Sequence, residues 1–280
     1  MDEKSVRDIR SLAAPPGGHA GRATQQSTVA NPDPPHNGEV CPLCNGTGWS
    51  PVEKDGTVRV RRCQCFLRAK SDHLIRLSEI PERHRNCEFS NYYTNDNQTL
   101  AVAKMTVQRW AEQYPMDHSG LILIGPSGVG KTHLIVAAVK ILAQKGMQSL
   151  FCYYGELLKK IQNSYNPQSQ ITELQVLKPI FDADVLVLDD LGVVKPTEWV
   201  WDAVSIILNT RYNDNRTTLI TSNFEDAPAA KLGTTPVQFA TRKDTLGDRI
   251  GERMRSRLFE MCRLVRLDGR DYREKKRHAQ

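Results

Sequence analysis

Eight consecutive residues, Gly125-Pro126-Ser127-Gly128-Val129-Gly130-Lys131-Thr132, match the pattern G-x-x-x-x-G-K-[ST] in full. Glycines let such a loop turn its backbone N–H groups inward, and a helix starting at its end directs its positive dipole end to the same place, so the two together seat a phosphate. Lys131 is placed to reach the β- and γ-phosphates, and Thr132 to offer its hydroxyl to Mg²⁺. Further on, the apolar run Val185-Leu186-Val187-Leu188 emerges into Asp189-Asp190. Carboxylates there suit the other half of a phosphoryl-transfer site, with Asp189 holding Mg²⁺ through water and Asp190 orienting or deprotonating the attacking water. A second polar strand end, Thr221-Ser222-Asn223, offers Asn223 as a sensor of the γ-phosphate. Asparagine is also a common turn former, so its position after a strand nominates it, and not its type.

Four of the seven cysteines form a second candidate centre. Cys41-x₂-Cys44 and Cys63-x-Cys65 are two pairs separated by 18 residues, with Gly46 and Gly48 after the first pair. Four thiolates at that spacing suit a closed, structural, tetrahedral Zn²⁺ site, and the glycines let the backbone curl round it. Free thiols or a redox pair are the alternatives, because the second pair is tighter than the usual C-x₂-C. Cys87, Cys152 and Cys262 sit in settings that suggest packing.

Chemistry of this kind needs elements to hold it. From Leu121 onward, short runs rich in Val, Ile, Leu and Thr alternate with helical patterns, the sequence form of an α/β fold with a parallel sheet. The expected strands are Leu121–Gly125, Ser149–Tyr154, Val185–Asp189, Thr217–Thr221 and Cys262–Leu267. The expected helices are Thr132–Lys145, Gly155–Ser164, Thr172–Phe181, Thr197–Tyr212 and Leu246–Glu260. Before them, Leu67–Leu77 reads as a short connecting helix. The divisions that follow are an arm over 1–38, rich in Pro, Gly, Ser and Gln and expected to be disordered, a zinc-binding module over 39–67, a linker with its lead-in helix over 68–100, an ATPase domain over 101–270, and a basic tail over 271–280.

Composition narrows the class. With 280 residues, 39% hydrophobic and 25% charged, the chain is an ordinary globular protein, which excludes collagen, coiled coil and wholesale disorder. No apolar stretch approaches the roughly 20 residues a membrane helix needs, and no secretory signal begins the sequence, so the expectation is a cytoplasmic protein without membrane contact. The net charge of +6 permits contact with nucleic acid without demanding it.

The motifs together resemble the AAA+ ATPases of the helicase-loader type, the DnaC/DnaI-like proteins, and their relatives the IstB-like transposition ATPases. The resemblance spans about Ile80 to Tyr272. It is carried by the phosphate loop extended through His133-Leu134, by Asp189-Asp190-Leu191-Gly192, by Lys195-Pro196-Thr197-Glu198-Trp199 with Asn209 and Arg211-Tyr212, by Thr221-Ser222-Asn223, and by the lead-in Ile80-Pro81-Glu82-Arg83-His84-Arg85. Arg253-Met254-Arg255-Ser256-Arg257-Leu258-Phe259-Glu260 resembles the segment in which such proteins carry an arginine finger. Arg257 is the matching residue, acting in trans on a neighbour's γ-phosphate, and Arg253, one turn earlier, competes for the role.

The resemblance implies an ATP-binding and hydrolysing protein that binds single-stranded DNA, assembles head to tail and loads the replicative DNA helicase, which it would hold through the zinc module. Only 23 residues follow Arg257, so the usual helical lid is expected to be reduced or absent, with no lid arginine. Lys159-Lys160 near Tyr153-Tyr154, and Arg263, Arg266, Arg270, Arg273, Lys275, Lys276 and Arg277, are the candidate DNA contacts. Two other functions stay open: a transposition or phage-encoded regulator that polymerises on duplex DNA, and a nucleotide-gated adaptor with little turnover.

Overall fold

Asp55 and Gly56 take φ of 56° and 70°, the mirror-image turn that closes a two-residue hairpin. The chain on either side pairs as antiparallel strands β1 (Trp49–Lys54) and β2 (Thr57–Arg62), and helix α1 (Gln64–Leu77) follows at once. The computed structural model describes residues 40–116, 118–229 and 243–273. The arm expected over 1–38 and the basic tail beyond Arg273 lie outside the described residues.

After a short 3₁₀ turn (Glu82–His84) comes α2 (Gln98–Gln113), and then strands and helices alternate: β3 (Gly120–Ile124), α3 (Lys131–Gln144), β4 (Ser149–Tyr153), α4 (Tyr154–Ser164), α5 (Glu173–Asp182), β5 (Val185–Asp189), α6 (Glu198–Asn213) and β6 (Thr217–Ser222). The described chain ends through α7 (Leu246–Ile250), α8 (Glu252–Met261) and β7 (Cys262–Arg266). The five strands from β3 onward form one sheet in the order β4-β5-β6-β3-β7, with every pairing parallel.

Side chains on a strand alternate between faces, so a strand covered on both sides must be apolar throughout. Leu121, Leu123, Val185, Val187, Leu219 and Val265 pack with α2 and α3 on one face. Ile122, Ile124, Leu186, Leu188 and Ile220 pack with α4 to α8 on the other. A charged side chain is buried at the edge of this core. Arg211 of α6, fully buried, donates from Nη1 to the carbonyls of Ile180 (2.7 Å) and Ala183 (3.0 Å) and from Nε to Thr218 Oγ1 (3.1 Å), joining the ends of α5, α6 and β6. Desolvation lowers its pKa to about 10.

Three expectations need correction. The single helix expected over 246–260 is two, broken at Gly251, whose φ of 80° is a left-handed angle that a helix cannot contain. The boundary set at residue 100 falls inside α2, which Asn97 starts by accepting the Leu100 N–H on its side chain. The boundary at 67 falls inside α1, because Cys65 already belongs to that helix. Among the described residues no helical lid domain follows β7.

Candidate nucleotide site and metal centre

Parallel sheets present ligand sites at the carboxyl ends of their strands, and here β3, β5 and β6 deliver the phosphate loop, the acidic pair and Asn223 to one place. Gly130 precedes α3 with φ 89°, and a Cβ on it would meet the Tyr92 ring, so both the angle and the space exclude any other residue. The loop therefore enters α3 in one conformation. At its foot, Lys131 is 5% exposed, and its ammonium donates to the carbonyls of Gly125 (2.9 Å) and Pro126 (2.8 Å) and to Asn223 Oδ1 (2.6 Å). Burial lowers its pKa to about 8, against the pull of Asp190 and Asp189 and with the help of Arg273.

The acidic pair divides its work by environment. Asp189 is 1% exposed; it accepts from Thr132 Oγ1 at 2.9 and 3.2 Å and from Thr221 Oγ1 at 2.7 Å. Burial raises its pKa, while the Thr221 and Thr132 hydroxyls oppose that. A carboxylate touching a hydroxyl is the all-oxygen donor set that suits Mg²⁺. Asp190 stands at φ 57°, rare for a residue with a side chain, held by its N–H donating to Thr221 Oγ1 (2.9 Å). Asn223 Nδ2 donates to Asp190 Oδ1 at 3.4 Å while its Oδ1 accepts a hydrogen bond from the Lys131 ammonium, so a single amide spans the lysine and the second carboxylate.

Over this network opens a cavity of about 1000 Å³, walled on one side by residues between Arg83 and Leu100 and on the other by residues between Asp268 and Arg273. The first wall is fastened by the Tyr92 hydroxyl donating to Val129 O (2.7 Å) and by His133 Nε2 paired with Glu88 O (2.8 Å), the two rings meeting edge to face. The walls meet where Asn97 Nδ2 donates to Asp268 O (2.9 Å).

The four cysteines also converge. Cys41, Cys44, Cys63 and Cys65 bring their Sγ atoms within 4.8 Å of one another, Cys41 to Cys63 at 3.8 Å and Cys44 to Cys65 at 3.4 Å. Sulfurs about 2.3 Å from one tetrahedral Zn²⁺ lie about 3.8 Å apart, so the cluster fits that ion. Although burial opposes it, hydrogen bonds from Cys65 and from the backbone at Gly48 and Gly46 draw the Cys44 thiol down to about 7.

A model of the IstB-like ATP binding protein family matches residues 67–280. The chain belongs to that family. Among relatives of this IstB-like protein, the replicative helicase loader DnaC of Escherichia coli (strain K12) is 25% identical over 205 residues, 72% of this chain and 77% of that one. The replicative helicase loader DnaI of Bacillus subtilis (strain 168) is 32% identical over 160 residues, 57% of this chain and 48% of that one. A crystal structure of the DnaC helicase loader superposes with a TM-score of 0.54 at 28% identity, covering 67% of this chain and 99% of that one. One of DnaI gives 0.53 at 26% identity, covering 71% and 98%.

Within the IstB-like domain, Ser127, Gly128, Val129, Gly130, Lys131, Thr132, His133, Asp189, Asp190 and Asn223 all line the cavity, while Gly125 and Pro126 meet it through Lys131. His133 acts there as a tie to the lead-in segment. Arg257 and Arg253 do not line it: Arg257 is half-buried on α8 with its guanidinium 5.5 Å from the Tyr212 ring, and Arg253 is exposed.

The stacking pair proposed for DNA fails at Tyr154, which is 2% exposed in the core, and Arg83 already engages the Tyr153 hydroxyl (Nε, 3.1 Å). Arg270 and Arg273, assigned to a basic end, line the nucleotide cavity. Sequence reasoning missed Tyr92 and Asn97. No motif marks Tyr92, but Asn97 announces itself as a helix cap once α2 is recognised. No helix among the described residues is long and apolar enough to cross a membrane.

Proposed function

We propose that this chain binds and hydrolyses ATP and, using that cycle, delivers a replicative DNA helicase to single-stranded DNA. The observation that carries the reading is the Lys131–Asn223–Asp190 chain beside the Thr132–Asp189 pair. It sets a lysine, an amide and a carboxylate in direct hydrogen-bond sequence, which supports their reading as phosphate-binding cation, sensor and water-orienting group in a family whose curated relatives are named helicase loaders.

In the hydrolytic step, the loop amides and Lys131 hold the β- and γ-phosphates, Asp190 orients the attacking water and accepts its proton, and Asn223 fixes Asp190 relative to Lys131. Thr132 and Asp189 would hold Mg²⁺, which supplies charge neutralisation between the phosphates. Arg257, which does not line its own chain's cavity, serves a neighbouring copy's nucleotide in a head-to-tail assembly. The cysteine module holds structural Zn²⁺ and presents the hairpin to the helicase.

ATPase measurements with and without single-stranded DNA and the host's replicative helicase test this. Turnover that rises when both are present supports the loader. Turnover stimulated by duplex DNA alone, with capture of a transposase and not of the helicase, replaces it with a transposition regulator, and tight ATP binding without turnover under every condition replaces it with a nucleotide-gated adaptor.

A further inference from the structure

Residues directly opposite one another in an antiparallel pair share a face of the ribbon, so the register of β1 with β2 sorts the hairpin into two sides. One side carries Ser50 with Arg61 and Val52 with Arg59. The other carries, from the base of the hairpin to its turn, Trp49 with Arg62, Pro51 with Val60 and Glu53 with Val58. On this second side Val58 and Val60 are 70% and 69% exposed and Trp49 43%, so an apolar strip lies open to water on a small module.

The strip is charged only at its two ends, and the charges are opposite. Glu53 stands beside the turn, and Arg62 stands at the base, where its guanidinium lies over the Trp49 and Phe66 rings. Among the described residues neither has an oppositely charged partner. A surface with an acid at one end, a base at the other and apolar groups between them is complementary to a copy of itself turned end for end. Two hairpins laid face to face about a two-fold axis that crosses the strands bring the Glu53 end of each against the Arg62 end of the other and set Val60 against Val60 at the centre. The same stacking with the hairpins parallel would put like charges together at both ends. A nucleic-acid strand would be repelled by Glu53 and would leave the valines uncovered.

We propose that this side of the hairpin pairs with the same side of a second copy, joining two chains through their cysteine modules. The contact closes on itself, in contrast to a head-to-tail contact, which leaves a free surface at each end. It is independent of the nucleotide site and leaves Arg59 and Arg61 facing outward for other partners. With strands of six residues, about 20 Å, and a width of two strands, about 10 Å, the face is smaller than a standard interface, so the dissociation constant expected for two free chains is about 0.1 mM.

Sedimentation of the full chain from about 10 μM to about 1 mM, without nucleotide so that ATPase contacts do not contribute, tests it. The wild type should pass from monomer to dimer across that range. Val60→Asp alters a side chain exposed in its own chain and should leave the protein monomeric throughout. Glu53→Arg and Arg62→Glu, each alone, should weaken self-association at least about ten-fold by setting like charges together at both ends. An equimolar mixture of these two variants should dimerise as tightly as the wild type, because opposite charges then meet again at both ends, a recovery that misfolding would not produce. A wild type that stays monomeric at the top of the range overturns the proposal, and protection of the amides of 57–62 on adding the replicative helicase would then give the face to that partner. A dimer indifferent to Val60→Asp and to the charge changes also overturns it, as does a mixture no tighter than its components while amide exchange across 49–62 matches the wild type.

Discussion

The loop around Lys131 rests on two apolar clusters, whereas the hairpin beside Cys44 rests on almost nothing. Strand β3, which feeds the loop, is buried at all five positions, and α3 behind it is buried at nine of fourteen. Strand β2 is exposed at five of six positions, with Val58 and Val60 about 70% exposed, and what the module buries is chiefly Cys44, Cys63 and Phe66. The Arg62 guanidinium lies over both the Trp49 and Phe66 rings, at 3.9 and 4.3 Å, a modest addition. One region thus has its geometry imposed by packing. The other has little core of its own, so a metal held by its four sulfurs would supply much of its stability.

Breaking each region should therefore look different. Lys131→Ala removes a buried cation from a preformed site; nucleotide affinity should fall at least about 100-fold with little change in melting temperature, by calorimetric titration and thermal unfolding. Unchanged affinity would take the site away from the phosphate loop. Arg257→Ala should leave ATP binding intact and reduce turnover of the assembled protein by about 10³-fold, the scale of an arginine finger; isolated monomers that hydrolyse ATP at the assembled rate would refute action in trans.

In the module, a strong chelator or Cys63→Ser should release about one equivalent of zinc and raise amide exchange across 49–62 by orders of magnitude, leaving the sheet protected. Metal analysis well below one equivalent, or a hairpin indifferent to chelation, would dissolve the contrast between the regions.

Smaller effects sharpen the picture. Because burial holds Lys131 at about 8, the free protein loses that charge as pH rises through this value, while a bound triphosphate favours the charged form. Triphosphate affinity should hold steady below pH 8 and decline several-fold by pH 9.5, in titrations across that range. Asn97→Ala removes a helix cap and the clip on Asp268 together; a loss of about 1 kcal/mol is expected from denaturant unfolding.

Much of the packed region was legible because its constraints are local. Strands buried on both faces have to be apolar runs, and a loop with two left-handed glycines must be written with glycine, so β3 to β7 and the loop were readable within a residue or two. The Asp55-Gly56 turn, inside the expected zinc-binding module, and the spacing of Leu100, Ala103, Val107 and Trp110 in α2, at the start of the expected ATPase domain, carried local signals of the same kind, although neither the hairpin nor that helix was among the expected elements. Tyr92 and Asp271 were not legible in principle. Each matters because of a partner that the fold supplies, Gly130 and Gly128 respectively, and nothing in their immediate neighbours records those partners.

One helix belongs to both regions. α1, capped by Cys63 and carrying Cys65 as its second residue, runs 14 residues, about 20 Å, with its flank bedded on α3 and on β4. Through that packing the outer module is joined, by a single rigid element, to the helix whose first residue is Lys131.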